Sequence, residues 1–316
     1  MKNKILCITP IKHLKGVYEK LATYGDVVYK PNISKDELIE LLKKISIPYL
    51  FTNPNKQGFL LDSDVLQYGD IKIINTCSTG TNHIDLDYCK NSNIEVWSLT
   101  SDYELINDLP STSELAFGLM LSLLRNIPSG FDNVKEGHWN YEPYIGHQVK
   151  GLVIGIIGYG RLGKIMKQLF KGWGVEILVN DPYENSKNCT KVDKEYLITK
   201  SNVIFLHVHV TEETRRMVND EFLSKMKINS YLINTSRGEL VDESAIIKYL
   251  KNGNLKGYGT DVISDEFSEI NDSQLVEASK FHNIVITPHV GGMTIEGQTK
   301  AFMWAVCKFK EKKWME

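Results

Sequence analysis

Three residues in the second half of the chain have the side chains for acid–base chemistry on an anionic substrate. Arg237 follows the run YLINTS, Glu266 lies shortly after the run that ends in Asp261-Val262, and His289 follows VITP. Short apolar runs rich in β-branched residues read as strands. The three side chains are therefore expected at one edge of a sheet, just past the strand ends. An Arg presents a planar fork of donors that matches a carboxylate. A His titrates near neutral pH and serves as acid or base. A Glu hydrogen-bonded to the other ring nitrogen fixes the tautomer and stabilises the protonated ring. These are the needs of a 2-hydroxy acid losing its hydroxyl proton as a hydride leaves C2, or of the reverse reaction.

Such chemistry needs a hydride carrier, and residues 151–163, GLVIGIIGYGRLG, supply the pattern for one. The run 153–157 reads as a strand, Gly158, Gly160 and Gly163 form G-x-G-x-x-G, and helical apolar spacing continues over 164–173. Strand, glycine turn and helix are the context in which this short motif predicts a dinucleotide site. Gly158 permits the tight turn, Gly160 admits a pyrophosphate close to the backbone, and Gly163 lets helix and strand pack closely. The pyrophosphate would sit on unpaired N–H groups at the positive end of the helix. A second strand, 176–180, ends at Asp181, about twenty residues beyond the glycines. A carboxylate there accepts the ribose hydroxyls of NAD and repels the 2′-phosphate of NADP, and no Arg follows it closely.

The elements that would position these residues alternate along the whole chain. Residues 4–8, 26–29, 49–52, 71–76 and 95–99 read as strands of the first half, with helices at 12–24 and 34–44. Ser34 and Glu37 fit a capping box there. The turn at Asn53-Pro54-Asn55 and the loop Ser78-Thr79-Gly80 each follow a strand, where open α/β sheets bind ligands. Residues 111–125 read as a long helix capped by Ser111, apolar on more than one face, and so buried between domains or in a subunit contact. Residues 131–150 read as a crossover loop. Beyond the glycine turn, 202–207, 231–234, 258–262 and 283–287 read as strands. Asp242 caps a helix closed by Gly253, and a terminal helix starts near Ile295. Alternation of this kind predicts parallel sheets covered on both faces.

Composition excludes several alternatives. The 316 residues suffice for two domains, and 42% hydrophobic with 24% charged residues is ordinary for a globular protein. A formal net charge of −2 gives no reason to expect nucleic acid or an anionic membrane as partner. The opening MKNKILCITP reads as a first strand, not a signal peptide, and no run is long enough to span a bilayer. The five scattered cysteines form neither a disulfide framework nor a metal site, which suits a reducing cytoplasm. No Arg occurs before Arg125.

At its most informative strings the chain resembles the D-specific 2-hydroxyacid dehydrogenases, the family of phosphoglycerate, glycerate, hydroxypyruvate and D-lactate dehydrogenases. NTSRGELVDESAI, the TDV-x-x-x-E spacing from Asp261 to Glu266, TPHVGG, STGTNHIDL and FLHVHVTEETRRMVN carry the resemblance, together with the glycine turn. It implies two Rossmann-like or flavodoxin-like doubly wound parallel-sheet domains with the cofactor cleft between them. Residues 1–100 with 290–316 would form a discontinuous substrate domain, and 101–289 the NAD-binding domain. The resemblance makes Arg237 the carboxylate-binding residue, Glu266 the partner acid and His289 the general acid/base. It implies cofactor contacts at Gly158, Gly160, Arg161, Leu162, Gly163, Asp181, His207, Thr214, Thr235 and Asp261, the last at the nicotinamide amide. Substrate contacts fall at Asn53, Arg237 and the backbone of Ser78, Thr79 and Gly80. It also implies a homodimer built on the helix at Ser111, while the C-terminal extension that carries serine feedback regulation in some phosphoglycerate dehydrogenases is not expected here.

The sequence departs from the family at His207-Val208-His209, where His-x-Pro is more usual. An NAD(H)-sensing regulatory protein of the same fold is the alternative reading. Formate dehydrogenase fits poorly, because that branch has Gln where this chain has Glu266. Substrate specificity is expected from the loops around Asn53, Ser78 and Tyr103.

Overall fold

Ile5 and Cys7 belong to one apolar cluster and Leu6 and Ile8 to another, the period-two signature of a strand covered on both faces. That strand, β1 (Lys4–Cys7), is an inner strand of the first of two compact units in the computed structural model. The structure describes residues 4–54, 58–102, 107, 109–184, 188–264, 266 and 270–311. Asn55, of the turn Asn53-Pro54-Asn55, and Tyr103, of interest for specificity, lie outside them.

The first unit comprises Met1–Leu109 and Met293–Glu316, and the second Pro110–Gly292. The chain crosses between them at 109/110 and 292/293, later than the expected 100/101 and 289/290. Leu99 is buried in the first unit's core and Leu109 packs on it, which carries that unit past residue 100. Val290 and Gly291 are tied by hydrogen bonds to Asp261, which keeps them in the second unit.

In the first unit β1 is joined by β2 (Asp26–Tyr29), β3 (Tyr49–Thr52), β4 (Ile73–Thr76) and β5 (Glu95–Trp97). The five strands are parallel in the order β2-β1-β3-β4-β5, a flavodoxin-like doubly wound arrangement. The terminal helix Ile295–Glu311 covers one face with Phe302, Val306 and Phe309 against Ile5, Phe51 and Trp97. Leu38 and Leu42 of helix Lys35–Lys44 cover the other with Leu6, Leu50 and Ile74. The Ser34–Glu37 capping box is formed, Ser34 N donating to Glu37 at 2.9 Å and Glu37 N to Ser34 Oγ at 3.2 Å.

The second unit holds β6 (Val153–Ile157), β7 (Glu176–Asn180), β8 (Thr190–Lys191), β9 (Val203–Leu206), β10 (Ser230–Asn234), β11 (Leu255–Thr260) and β12 (Ile284–Ile286). All seven are parallel in the order β12-β11-β10-β9-β6-β7-β8. Strand order reverses at β6, as in the Rossmann fold, so the crevice between the loops after β6 and β9 is the topological switch point.

The structure corrects several local expectations. The first helix is Val17–Tyr24, not 12–24, because Gly16 adopts φ 80° and breaks the preceding turns. The long helix is Ser111–Leu124; Pro110, with no side chain able to cap, holds the N-cap position, and Ser111 is the first helical residue. Its buried side chains, among them Ala116, Leu119 and Leu123, pack on strands and helices of its own unit. Arg125, read as part of that helix, is its exposed C-cap. The stretch read as a loop begins inside a second helix, Ile127–Lys135, set off from the first by Asn126 at φ 51°. Strand β8 is two exposed polar residues long, too short for any alternation to be visible.

Candidate active site

The glycine turn shows why each glycine is there. Gly158 leaves β6 at φ 90°, and a Cβ on it would lie 2.2 Å from the carbonyl oxygen of His207. A Cβ on Gly163 would lie 2.2 Å from the carbonyl oxygen of Gly158, so the helix Arg161–Leu169 approaches the strand as closely as the backbone allows. Gly160 is different. Its φ of −69° suits any residue, and a Cβ there would meet nothing within 4 Å. The protein's own packing does not require glycine at 160, whereas a group lying against the backbone would. As N-cap, Gly160 offers no side chain to the N–H groups of the helix start. Buried polar atoms without protein partners stand at the same sheet edge: both ring nitrogens of His207 after β9 and Thr235 Oγ1 after β10. These features fit a bound dinucleotide.

Around them the turn is braced. Asp181 Oδ2 accepts from Tyr159 N at 2.7 Å, and Oδ1 from Tyr183 N at 2.8 Å and Glu184 N at 3.1 Å. Asp181 thus ties the end of β7 to the glycine loop. The nearby Lys164 is engaged with Glu184 at 2.6 Å, and Lys167 donates to the Asn188 carbonyl. The Leu162 carbonyl accepts from Ser113 Oγ, anchoring this helix to the long one. Burial lowers the Arg161 guanidinium, and burial with the Arg161 charge holds His207 down at about 4, so its ring is neutral near pH 7. Thr214 closes its own turn, donating to the His209 carbonyl at 2.6 Å and accepting from Thr211 N at 2.7 Å.

On the other side of the switch point the sheet edge carries the ionisable residues. Asn234, fully buried at the end of β10, staples the next turn: its Nδ2 donates to the Arg237 carbonyl at 2.9 Å and its Oδ1 accepts from Ser236 N at 3.0 Å. A Cβ on Gly238 would lie 2.0 Å from the Ile263 backbone, so this turn packs directly against the segment leading to Glu266. His289 Nδ1 and Glu266 Oε2 are 2.7 Å apart. A carboxylate only accepts, so Nδ1 carries the hydrogen and Nε2 is left for proton exchange. His289 sits at φ 52°, a left-handed conformation costly for a residue with a Cβ. Asp261 stabilises it. The Asp261 carbonyl accepts from His289 N at 3.0 Å, and its carboxylate accepts from Thr287 Oγ1, Val290 N and Gly291 N at 2.5, 2.8 and 2.7 Å. The sequence reading missed this bracing role of Asp261, which is only 2% exposed; burial raises its carboxyl despite those bonds.

Electrostatics follow from this geometry. The hydrogen bond and charge of Glu266 raise His289 above the ordinary histidine range, outweighing burial and the opposing charge of Arg237. Arg237 itself is partly buried, Nη1 donating to the Ser236 carbonyl at 2.6 Å.

In the first unit, Asn53 follows β3 and is buried, its Oδ1 without a partner. Ser78, Thr79 and Gly80 follow β4. Among the described residues, the N–H groups of Thr79 and Gly80 donate to no protein acceptor.

The second unit is therefore a doubly wound dinucleotide-binding domain with a Glu-oriented histidine beside a carboxylate-matching arginine. A family model described as D-isomer specific 2-hydroxyacid dehydrogenase, NAD binding domain, matches residues 117–291. The chain belongs to that family, and NAD is its cofactor. Hydroxypyruvate reductase of Thermotoga maritima is 30% identical over 288 residues, 90% of each chain. Glycerate dehydrogenase of Methylorubrum extorquens is 34% identical over 268 residues, 83% of this chain and 81% of that one. Among solved structures, D-lactate dehydrogenase from Aquifex aeolicus, complexed with NAD and lactic acid, superposes with a TM-score of 0.80 at 26% identity, covering 99% of this chain and 96% of that one.

Proposed function

We propose that this protein interconverts a small D-2-hydroxy acid and its 2-keto acid, with NAD as hydride acceptor or NADH as donor. The observation that carries the reading is the 2.7 Å contact between His289 Nδ1 and Glu266. Bound NADH supplies the hydride that reaches C2 of the keto acid. Arg237 holds the substrate carboxylate through its two-pronged guanidinium, leaving the C2 oxygen to His289. In the reductive direction protonated His289 gives its Nε2 proton to that oxygen; in the oxidative direction the neutral ring takes it back. Glu266 keeps Nδ1–H in place throughout and stabilises the charged ring. The free N–H groups of Thr79 and Gly80 support a second hold on the carboxylate. Asn53 would bound the rest of the substrate. Asp261 keeps one lone pair on Oδ2, enough for the nicotinamide amide. Nothing favours the NAD(H)-sensing reading over this one.

The substrate is expected to be small and free of phosphate. Phosphate sites commonly recruit Arg for its bidentate fork, and the chain has none before Arg125. The experiment is a panel of 2-keto acids with NADH: hydroxypyruvate, glyoxylate, pyruvate, 2-ketoisocaproate and 3-phosphohydroxypyruvate. The expected result is turnover of at least one unphosphorylated acid, with kcat/KM for hydroxypyruvate above that for its phosphorylated form. A preference for the phosphorylated acid of tenfold or more, about 1.4 kcal/mol, would overturn the argument from missing arginines. Turnover of none would overturn the reaction.

NADH is expected over NADPH by at least ~10-fold in kcat/KM, because a 2′-phosphate would meet the Asp181 carboxylate. Parallel kinetics with both cofactors check this, and equal values would mean that Asp181 does not contact the ribose.

The proposal extends to a homodimer in the cytoplasm. Phe131, Val134, Trp139, Tyr141 and Ile145 are all exposed within one short stretch of the second unit, which supports a covered face there. All five cysteines are free thiols, which supports a reducing compartment.

A further inference from the structure

Beneath the Ser78–Gly80 loop lies a chain of hydrogen bonds whose direction is fixed at one end. The Gly80 carbonyl can only accept, and it accepts the Ser78 hydroxyl at 2.5 Å. With that proton committed, Ser78 Oγ takes part in its 3.1 Å contact with Thr76 Oγ1 as the acceptor. The Thr76 proton is then committed as well, so Thr76 Oγ1 accepts across its 3.0 Å contact with His83 Nε2. His83 is thereby the Nε2–H tautomer, and its Nδ1 is a bare acceptor, buried and without a hydrogen-bond partner. Thr76 and His83 are both buried, and burial depresses the His83 imidazole to about 4, consistent with a neutral ring. The backbone of His83 is fixed too: Leu61 N donates to its carbonyl at 3.0 Å, and Asp85 N to the Leu61 carbonyl at 3.0 Å.

We propose that His83 is a positioning residue for substrate: through Thr76 and Ser78 it holds the Gly80 carbonyl, closing the Ser78–Gly80 turn on itself, and so keeps the Thr79 and Gly80 N–H groups within that turn in the orientation a carboxylate needs. The inference rests on the reading above, in which this loop holds the substrate carboxylate. A histidine that merely fills space would need no directed donor, and an apolar residue would fill that space without stranding a buried acceptor. Here each hydroxyl spends its one proton toward the loop.

The direct test is the tautomer. Nitrogen-15 NMR of the whole protein with labelled histidine should show His83 protonated at Nε2 and bare at Nδ1; the opposite tautomer overturns the proposal, and no variant needs to fold for this arm. The kinetic arm compares His83→Gln, His83→Asn, His83→Leu and Thr76→Val, reading KM for the keto acid beside the Kd for NADH. The Gln amide nitrogen can stand where Nε2 stood and that of Asn cannot, so His83→Gln should stay near wild type. His83→Asn, His83→Leu and Thr76→Val should each raise the keto-acid KM by ~10-fold with the NADH Kd unchanged. Equal behaviour of the Gln and Asn variants, or a wild-type KM in His83→Leu, overturns the relay. Thr79→Pro, which deletes one of the free N–H groups, separates the two claims. A raised KM in Thr79→Pro alone leaves the loop its substrate and refutes His83. An unchanged KM in Thr79→Pro refutes the loop's role and the relay with it.

Discussion

His289→Ala is expected to lower kcat for keto-acid reduction by at least ~100-fold while leaving NADH binding nearly unchanged. The ring does two things at once: its Nε2 proton neutralises the alkoxide forming at C2, and its charge, held by Glu266, favours that alkoxide before transfer. Neither is met by water in a fixed position. Direct NADH titration and kcat from the same preparation check the claim; equal losses in affinity and rate would show that His289 holds the cofactor instead. The raised affinity of His289 for its proton sets the sign of the pH profile. Reduction needs the protonated ring, so it is full at low pH and fades as pH rises through the elevated pKa. Oxidation does the opposite. Glu266→Gln keeps an acceptor for Nδ1–H but removes the negative charge, so the falling limb of reduction should move to lower pH. A limb that stays in place would dissociate Glu266 from the titration.

Arg237→Ala is expected to cost kcat/KM about as much. Two charge-assisted hydrogen bonds at ~1.5 kcal/mol or more each sum to roughly 3 kcal/mol, about 100-fold. Arg237→Lys should recover little, because a point charge does not reproduce the fork. Measuring KM and kcat separately with the preferred keto acid decides it: recovery by Lys to near wild type would mean that Arg237 acts through charge alone. Arg237→Ala should also relieve the repulsion that opposes protonation of His289, whereas Arg237→Lys, which keeps the charge, should not.

The parts of this molecule legible in the sequence are those where one residue type has one use. The runs VIGII and VIFL are buried strands, and EILVN is buried at Leu178 and Val179, because Val, Ile and Leu side chains pack on both faces of a parallel sheet. Gly158 and Gly163 were legible because a Cβ at either would collide with backbone. Arg237, Glu266 and His289 stood out because each follows a strand and carries a reactive group. What stayed hidden depends on residues that look ordinary in a string. Gly238 is one glycine among many, yet it lets the Arg237 turn touch the Ile263 backbone. Asp261 reads as a ligand for cofactor, while its carboxylate holds Val290 and Gly291 in the loop of His289. The direction of the Thr76–His83 chain exists only once four groups meet in space. The helix Ile127–Lys135 escaped because its Pro and Gly and its exposed apolar residues imitate a loop.

In the proposed reaction, hydride passes to C2 of a 2-keto acid under the control of His289. Reduction of hydroxypyruvate or the best acid of the panel with NADH carrying deuterium at both C4 positions measures that passage directly. One deuterium is expected at C2 of a D-configured product for each NADH consumed by the wild-type protein, and almost none in the same time with His289→Ala. A product without deuterium at C2, an L-configured product, or undiminished transfer by His289→Ala would contradict it.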